Sequence, residues 1–139
     1  MPEITVTRDI AACHRIRKLV FVVEQGIALE EDIDGMDDVA TQLLATENGT
    51  PVGTARILEK GVTGKIGRLA VLIEHRKKGI GTALVRAALE EIGRRPHLNE
   101  ARLGAQTDAV GFYTALGFTP EGDTFLDAGL PHQEMVRVL

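Results

Sequence analysis

The sequence predicts an α/β fold built on a mixed, mostly antiparallel twisted sheet flanked by helices. Three observations carry that expectation. Apolar segments on either side of Asn48-Gly49, a dipeptide that favours a tight two-residue turn, read as a hairpin. Ile66-Gly67-Arg68-Leu69-Ala70-Val71 reads as a strand that passes through Arg76-Lys77-Lys78-Gly79-Ile80-Gly81-Thr82 into an amphipathic helix ending near Arg95. Further on, a short helical segment closed by Gly117 is followed by two more apolar segments around Gly129-Leu130-Pro131.

Taken in order, Glu3 to Thr7 alternates like a short strand. A helix is expected from an Asp9 N-cap to Val23, with Ile16, Leu19, Val20 and Val23 on its buried face. Glu24 to Asp38 reads as an acidic loop with one turn of helix. Leu43 to Thr46 opens the hairpin and Val52 to Leu58 is its return strand, while Gly61 and Gly64 mark the turn into the strand ending at Val71. In the long helix Leu84, Val85, Ala88, Leu89 and Ile92 share one side, and Pro96 stops it. Ala101 to Ala105 is a short strand. Asp108 is the expected cap of a helix carrying Val110, Phe112, Tyr113 and Leu116, and two final strands run from Phe118 and from Glu134 to Leu139.

Composition narrows the function. The 139 residues are 44% hydrophobic and 26% charged, as expected of one globular domain with its own core. The lone Cys13 excludes an internal disulfide and fits a reducing compartment. No stretch is apolar enough to span a bilayer and the N-terminus lacks signal-peptide character, so a cytoplasmic protein without membrane partners is expected. A net charge of −4 argues against nucleic acid as a partner. Between Lys18 and Arg56 the chain has no Lys or Arg but carries Glu24, Glu30, Glu31, Asp32, Asp34, Asp37, Asp38 and Glu47. Such a block is most often a solvated loop. The alternative is an acidic rim that attracts a cationic small molecule.

The turn from Arg76 to Thr82 is the strongest chemical signal. Glycines let a backbone approach a ligand closely, and the first amides of a helix have no internal acceptor. With the positive end of the helix dipole and three basic side chains, they form a cradle for a pyrophosphate. A P-loop is not supported, and the dinucleotide fingerprint lacks its third glycine.

Together with Leu69-Ala70-Val71 and the later Ala109-Val110-Gly111-Phe112-Tyr113-Thr114-Ala115-Leu116-Gly117-Phe118, this turn resembles the GNAT superfamily of N-acetyltransferases. The resemblance covers essentially residues 1–139 as one domain. Val20-Phe21-Val22-Val23-Glu24-Gln25 and Gly129 to Met135 resemble its small bacterial ElaA-like branch. It implies a sheet splayed at a cofactor cleft and acetyl-CoA as acyl donor, with no metal. Amides from Arg76, Lys77, Lys78, Gly79, Ile80, Gly81 and Thr82 would hold the pyrophosphate, and Leu69, Ala70 and Val71 would pair with the pantetheine arm. Gln106 stands where many relatives carry an asparagine at the cofactor, and Phe112 belongs to the same set, although Phe112 and Phe118 read mainly as packing aromatics. Tyr113, the only tyrosine, matches the residue that protonates or hydrogen-bonds the departing thiolate.

The acceptor amine must lose a proton, and many relatives place a glutamate for this on the strand before Leu69. Here that strand offers Lys65, Gly67 and Arg68. His132 and Glu24 are the candidate bases, Glu24 also as a counter-charge to the amine, and a water chain is the third possibility. His14, His75 and His97 read as surface residues and Cys13 as packing. The implied function is direct transfer of an acetyl group, in a ternary complex, to a primary amine on a small cationic acceptor. The alternative is a non-catalytic domain that senses acyl-CoA, and family analogy adds a possible homodimer.

Overall fold

The computed structural model describes residues 2–139. One eight-stranded sheet runs β1 (Glu3–Thr7), β2 (Thr41–Glu47), β3 (Thr50–Lys60), β4 (Thr63–Val71), β5 (Glu100–Gln106), β8 (Leu130–Val138), β6 (Thr119–Pro120) in space, with β7 (Phe125–Asp127) also paired to β8. All pairings are antiparallel except β4 with β5. Asn48 and Gly49 both take positive φ at the hairpin turn, as its geometry requires.

Two helices cover opposite faces of this sheet. Helix α3 (Ile80–Gly93) packs Leu84, Val85, Ala88 and Ile92 against Leu43, Ala45, Ala55 and Ile57, while α1 (Ile10–Arg17) packs Ala12, Cys13 and Ile16 against Leu44 and Ala70. Successive strand residues point to opposite faces, which is why Leu43 and Leu44 serve different helices. Gly64 lies inside β4 and not in the turn, and glycine is needed there because a Cβ would lie 2.7 Å from Ile92.

Asp9 caps α1 by accepting from the Ala12 amide. The helix then changes winding: Lys18–Glu24 is π-helical, and the Gln25 amide still reaches back to the Val20 carbonyl. Such i→i+5 winding puts more residues into each turn. Val23 therefore drifts off the buried stripe and is 68% exposed, Leu19 is exposed beside it, and only Ile16 and Val20 of the expected face are buried. Helix α4 (Val110–Ala115) starts after one 3-10 turn with no side-chain cap, so Asp108 does not cap it; Gly117 does close it with φ +91°. Strand β8 begins at Leu130, which moves His132 from a turn into a strand.

The acidic block divides: Asp32 and Asp37 are buried and Asp34 is paired with arginine, while Glu30, Glu31 and Asp38 stay exposed. The α1 face of the sheet carries Gln42 and Arg56, and α1 itself buries Arg17 completely. Short helix α2 (Leu29–Asp32) and the loop after it bring aspartates to these cations. Arg17 bonds both Asp32 oxygens at 3.2 Å and Asp37 at 2.7 Å, while Arg56 bonds Asp37 at 3.1 Å and Asp34 at 2.5 Å. Buried charges persist only when paired in this way. Hydrogen bonding from Arg56 holds Asp34 well below the usual carboxylate range. Burial pushes Asp37 the other way, but bonds from Arg17 and His14 overcome it and keep it low as well. Among the described residues no helix is long and apolar enough to cross a membrane.

Asp37→Ala leaves two guanidinium groups buried beside an empty site, and a loss of about 3–5 kcal/mol in urea unfolding is expected. Both aspartates ionise more readily folded than unfolded. Their stabilisation is complete above the ordinary value of 3.8 and drains away as pH falls through the depressed native values. The wild type should lose stability steeply in that acid range, and Asp37→Ala should show a shallower fall.

Candidate active site

The site begins where two strands part. β4 and β5 pair only from Thr63 with Glu100 to Lys65 with Arg102. Beyond this, Ile66 to Val71 keeps β3 on one edge and has no strand on the other. A bulge falls in the same stretch: the β3–β4 register shifts between Thr54 and Arg56, and Arg68 takes φ +51°. Bulges re-aim side chains beside a site. Here the Arg68 guanidinium is turned onto the α2 wall, where it bonds the Asp32 carbonyl oxygen and the Asp34 carboxylate, each at 3.2 Å.

The chain leaves β4 through a 3-10 turn (Ile73–His75) and enters α3 through two left-handed residues, Lys77 at φ +63° and Gly79 at φ +83°. Gly79 is the N-cap and offers no side chain; the first bond of the helix runs from the Ala83 amide to the Gly79 carbonyl at 3.0 Å. The amides of Gly79, Ile80, Gly81 and Thr82 thus lie ahead of the helical ladder. Of the three basic side chains expected at this mouth, only Lys77 is exposed without an ion pair among the described residues. Arg76 binds Glu24 through two bonds of 2.6 Å and the Val71 carbonyl at 2.9 Å, and Lys78 lies 3.8 Å from Glu47.

Two chambers meet across Leu69. One of about 420 Å³ is lined by Leu69 to Val71, by Arg76 and Lys77, and by Gly79 to Thr82, with Lys78 outside it. The other, about 390 Å³, lies between β4, β5, β8 and the α2 wall and contains Tyr113, His132, Glu134, Asp127 and Glu31. Gln25, Leu69 and Phe112 line both. Phe112 is therefore a junction residue, 37% exposed, not chiefly a packing one; Phe118 is buried as expected.

Tyr113 stands on α4 between Phe112 and Phe118, with edge-on ring centroids at 4.9 and 6.0 Å. Its hydroxyl has no hydrogen-bond partner among the described residues. Burial alone pushes its pKa up to about 12. His132 stacks on Phe125 at 5.9 Å, and its Nδ1 lies 2.8 Å from the Leu130 carbonyl oxygen. A carbonyl only accepts, so Nδ1 carries the hydrogen and the neutral ring keeps its lone pair on Nε2. Glu24 does not line the second chamber; its carboxylate is held by Arg76, which keeps it ionised and makes it a weaker base. Gln106 lines the second chamber and donates to Gln25 at 3.1 Å.

Of the three acidic residues in this chamber, Glu31 belongs to the block read as a possible acidic rim, while Asp127 and Glu134 escaped the sequence reading. The signal for Glu134 was period-two spacing with His132, hidden by starting the last strand too late. Lys65, Gly67 and Arg68 do line it, and no glutamate of β4 does.

A family model for an acetyltransferase (GNAT) domain matches residues 16–139. The chain belongs to the GNAT acetyltransferase family. Its activity class is N-acetyl transfer. A Bacillus subtilis protein named as an uncharacterized N-acetyltransferase, YjcF, is 36% identical over 123 residues, covering 88% of this chain and 87% of that one. Among solved structures, Escherichia coli ElaA superposes with a TM-score of 0.87 at 30% identity, covering 99% of each chain. An acyl-CoA N-acyltransferase from Pseudomonas aeruginosa gives 0.85 at 26% identity, over 99% of this chain and 98% of that one. The splayed sheet and the ElaA-like resemblance both stand.

Because this GNAT chain has one tyrosine and no tryptophan, ultraviolet titration reads Tyr113 directly. The phenolate should appear near pH 12 in the folded protein and near 10 in urea. The unfolded form ionises first, so stability should fall as pH rises above 10. A folded-state transition near 10 would show that the hydroxyl is hydrated.

Proposed function

We propose that this GNAT protein transfers the acetyl group of acetyl-CoA to a primary amine on a small cationic acceptor, by direct attack in a ternary complex. The observation that carries the reading is the meeting of two unlike chambers at Leu69 and Phe112. One offers amides free of helical bonds beside exposed Lys77, the other offers titratable side chains.

On the donor side, the amides of Gly79 to Thr82 bond the diphosphate and Lys77 adds charge, with Arg76 fixing the wall behind them. Leu69, Ala70 and Val71 present the edge along which the pantetheine amides pair, as a peptide adds to an open sheet. Acetyl-CoA would supply the activated thioester at the junction.

On the acceptor side, Glu31, Asp127 and Glu134 draw in an ammonium group. The cationic preference rests chiefly on Glu31 and Asp127, since Asp32, Asp34 and Asp37 are spent on arginines and Glu134 lies 3.8 Å from Arg102. His132 takes one proton from the ammonium on Nε2, because only the neutral amine has a lone pair to attack with. A nitrogen–carbon bond forms, the nitrogen gives up its second proton to water, and the carbon–sulfur bond breaks. Tyr113 then donates a hydrogen bond to the departing sulfur. A phenol near 12 does not give its proton fully to a thiolate whose conjugate acid has a reference pKa of about 8.5, so Tyr113 stays protonated throughout. The thiolate takes its proton from water and His132 returns its own to solvent.

Free-thiol release from acetyl-CoA, measured across polyamines, amino acids, aminoglycosides and lysine peptides, tests the reading. Release that depends on a cationic class is expected. Tyr113→Phe should lower kcat by about a hundredfold, as loss of one hydrogen-bond donor to a developing anion does, while acetyl-CoA affinity persists; equal loss in both would remove its role. Binding of acetyl-CoA with no release for any amine would favour the sensor, which the absence of a β4 glutamate from the chamber supports.

Gly81→Val tests the cradle separately. A Cβ at 81 meets only ordinary contacts, Phe112 at 3.6 Å and Val71 at 4.0 Å, so the variant should fold. It should lose acetyl-CoA binding in calorimetry, and unchanged affinity would place the phosphates elsewhere.

A further inference from the structure

The last residue of the π-helical segment and the one after it reach opposite walls of the cleft. Glu24 is bound by Arg76 at the cradle, on the β4 side. Gln25 accepts from Gln106 Nε2 at 3.1 Å, across the cleft at the end of β5 and 81 residues away in sequence. Among the described residues, this is the one side-chain hydrogen bond joining residues 18–40 to β5 or β8. No backbone pairing joins β4 to β5 beyond Lys65 and Arg102. The Gln25–Gln106 contact therefore spans the open end of the V, and Gln25 lines both chambers where they meet.

We infer that Gln25 is a positioning residue for the acyl donor, forming with Gln106 an amide clasp over the arm that lies at the junction. The inference rests on the proposed use of acetyl-CoA and goes beyond it by assigning a residue outside the cradle.

Three features fit that role. Both amides are neutral and Gln25 is exposed, so the contact can open and re-form without stranding a buried polar group. The π-helical winding aims Gln25: its amide is tied to the Val20 carbonyl at 3.1 Å, and Val20 is anchored in the core beneath α1. Glu24, fixed by Arg76, anchors the neighbouring residue to the cradle, so a diphosphate seated there and the clasp share one support. An arm beneath the clasp must wait for it to open before leaving.

Stopped-flow release of coenzyme A and acetyl-CoA, with calorimetric affinities, tests this on the full chain for Gln25→Ala, Gln106→Ala and the double variant. Each single change should speed release by about three- to tenfold, as loss of one neutral hydrogen bond allows, and the double variant should be no faster than the singles. Gln25→Glu keeps an acceptor for Gln106 Nε2 and should restore slow release. Thermal midpoints should stay at the wild-type value, since the contact lies outside the core. Strictly additive effects, or release unchanged in Gln25→Ala, would overturn the clasp while leaving the donor assignment intact. A wild-type protein that binds neither form of coenzyme A would overturn both.

Discussion

Backbone pairing between β4 and β5 ends after three residue pairs, and the rest of the molecule is arranged around that interruption. A sheet interior normally satisfies every N–H and C=O, and an open edge in its middle leaves polar groups needing water or a ligand. The chain keeps the gap open by placing no strand there and by supporting each side independently. β1 to β4 have their own cover in α1 and α3, while β5 to β8 close as an antiparallel group with Phe118 and Met135 beneath them. The result is a cleft whose two walls are built separately and whose floor is unpaired backbone. Such a floor suits an extended ligand with amides of its own.

Three arginines, two of them buried, give the α2 wall its position. Arg17, Arg56 and Arg68 come from three elements and meet Asp32, Asp34 and Asp37, all from one fifteen-residue acidic stretch whose own hydrophobic content is low. A loop of that composition has little apolar surface with which to dock. Its charges do the docking instead, against guanidinium groups that would be intolerable in the interior without them. This is a costly way to hold a wall, but a directional one. Paired forks fix orientation as well as distance, and the second chamber takes its shape from Glu31 and Asp32 on this wall.

Local chemistry was legible in the sequence wherever one residue had one job. Asn48-Gly49, the Gly79 turn, the Gly117 cap and the apolar face of α3 all behaved as their residue types require. Tyr113 and His132 also reach the same chamber. What failed depended on partners far along the chain. Nothing local says that Asp32 will meet Arg17, or that a helix will change winding at Lys18 and turn Val23 outward. The three basic residues after β4 looked equivalent, yet only the folded chain shows Arg76 spent on Glu24. Composition of a segment predicts solvation only when its charges have nothing to pair with, and here the partners were 15 to 36 residues away.

Arg68 gives a structural reason for the proposed mechanism to place proton acceptance away from β4. A bulge residue on β4 faces the acceptor chamber, and a carboxylate beside it would suit an incoming ammonium. In this chain the bulge side chain holds the α2 wall through Asp32 and Asp34, and an acid at that position would face two aspartates. Repulsion would both loosen the wall and raise the affinity of the new acid for its proton. The strand opposite carries no such duty. On β8, period-two spacing sends His132 and Glu134 to the chamber while Met135 goes to the core, and Gly104 on β5 leaves space for the ring: a Cβ there would lie 3.4 Å from Phe125 and 4.0 Å from His132. Stacking on Phe125 and the bond to Leu130 then fix the imidazole with its lone pair on Nε2. In the proposed mechanism the structural demand on β4 moves the chemistry to β8.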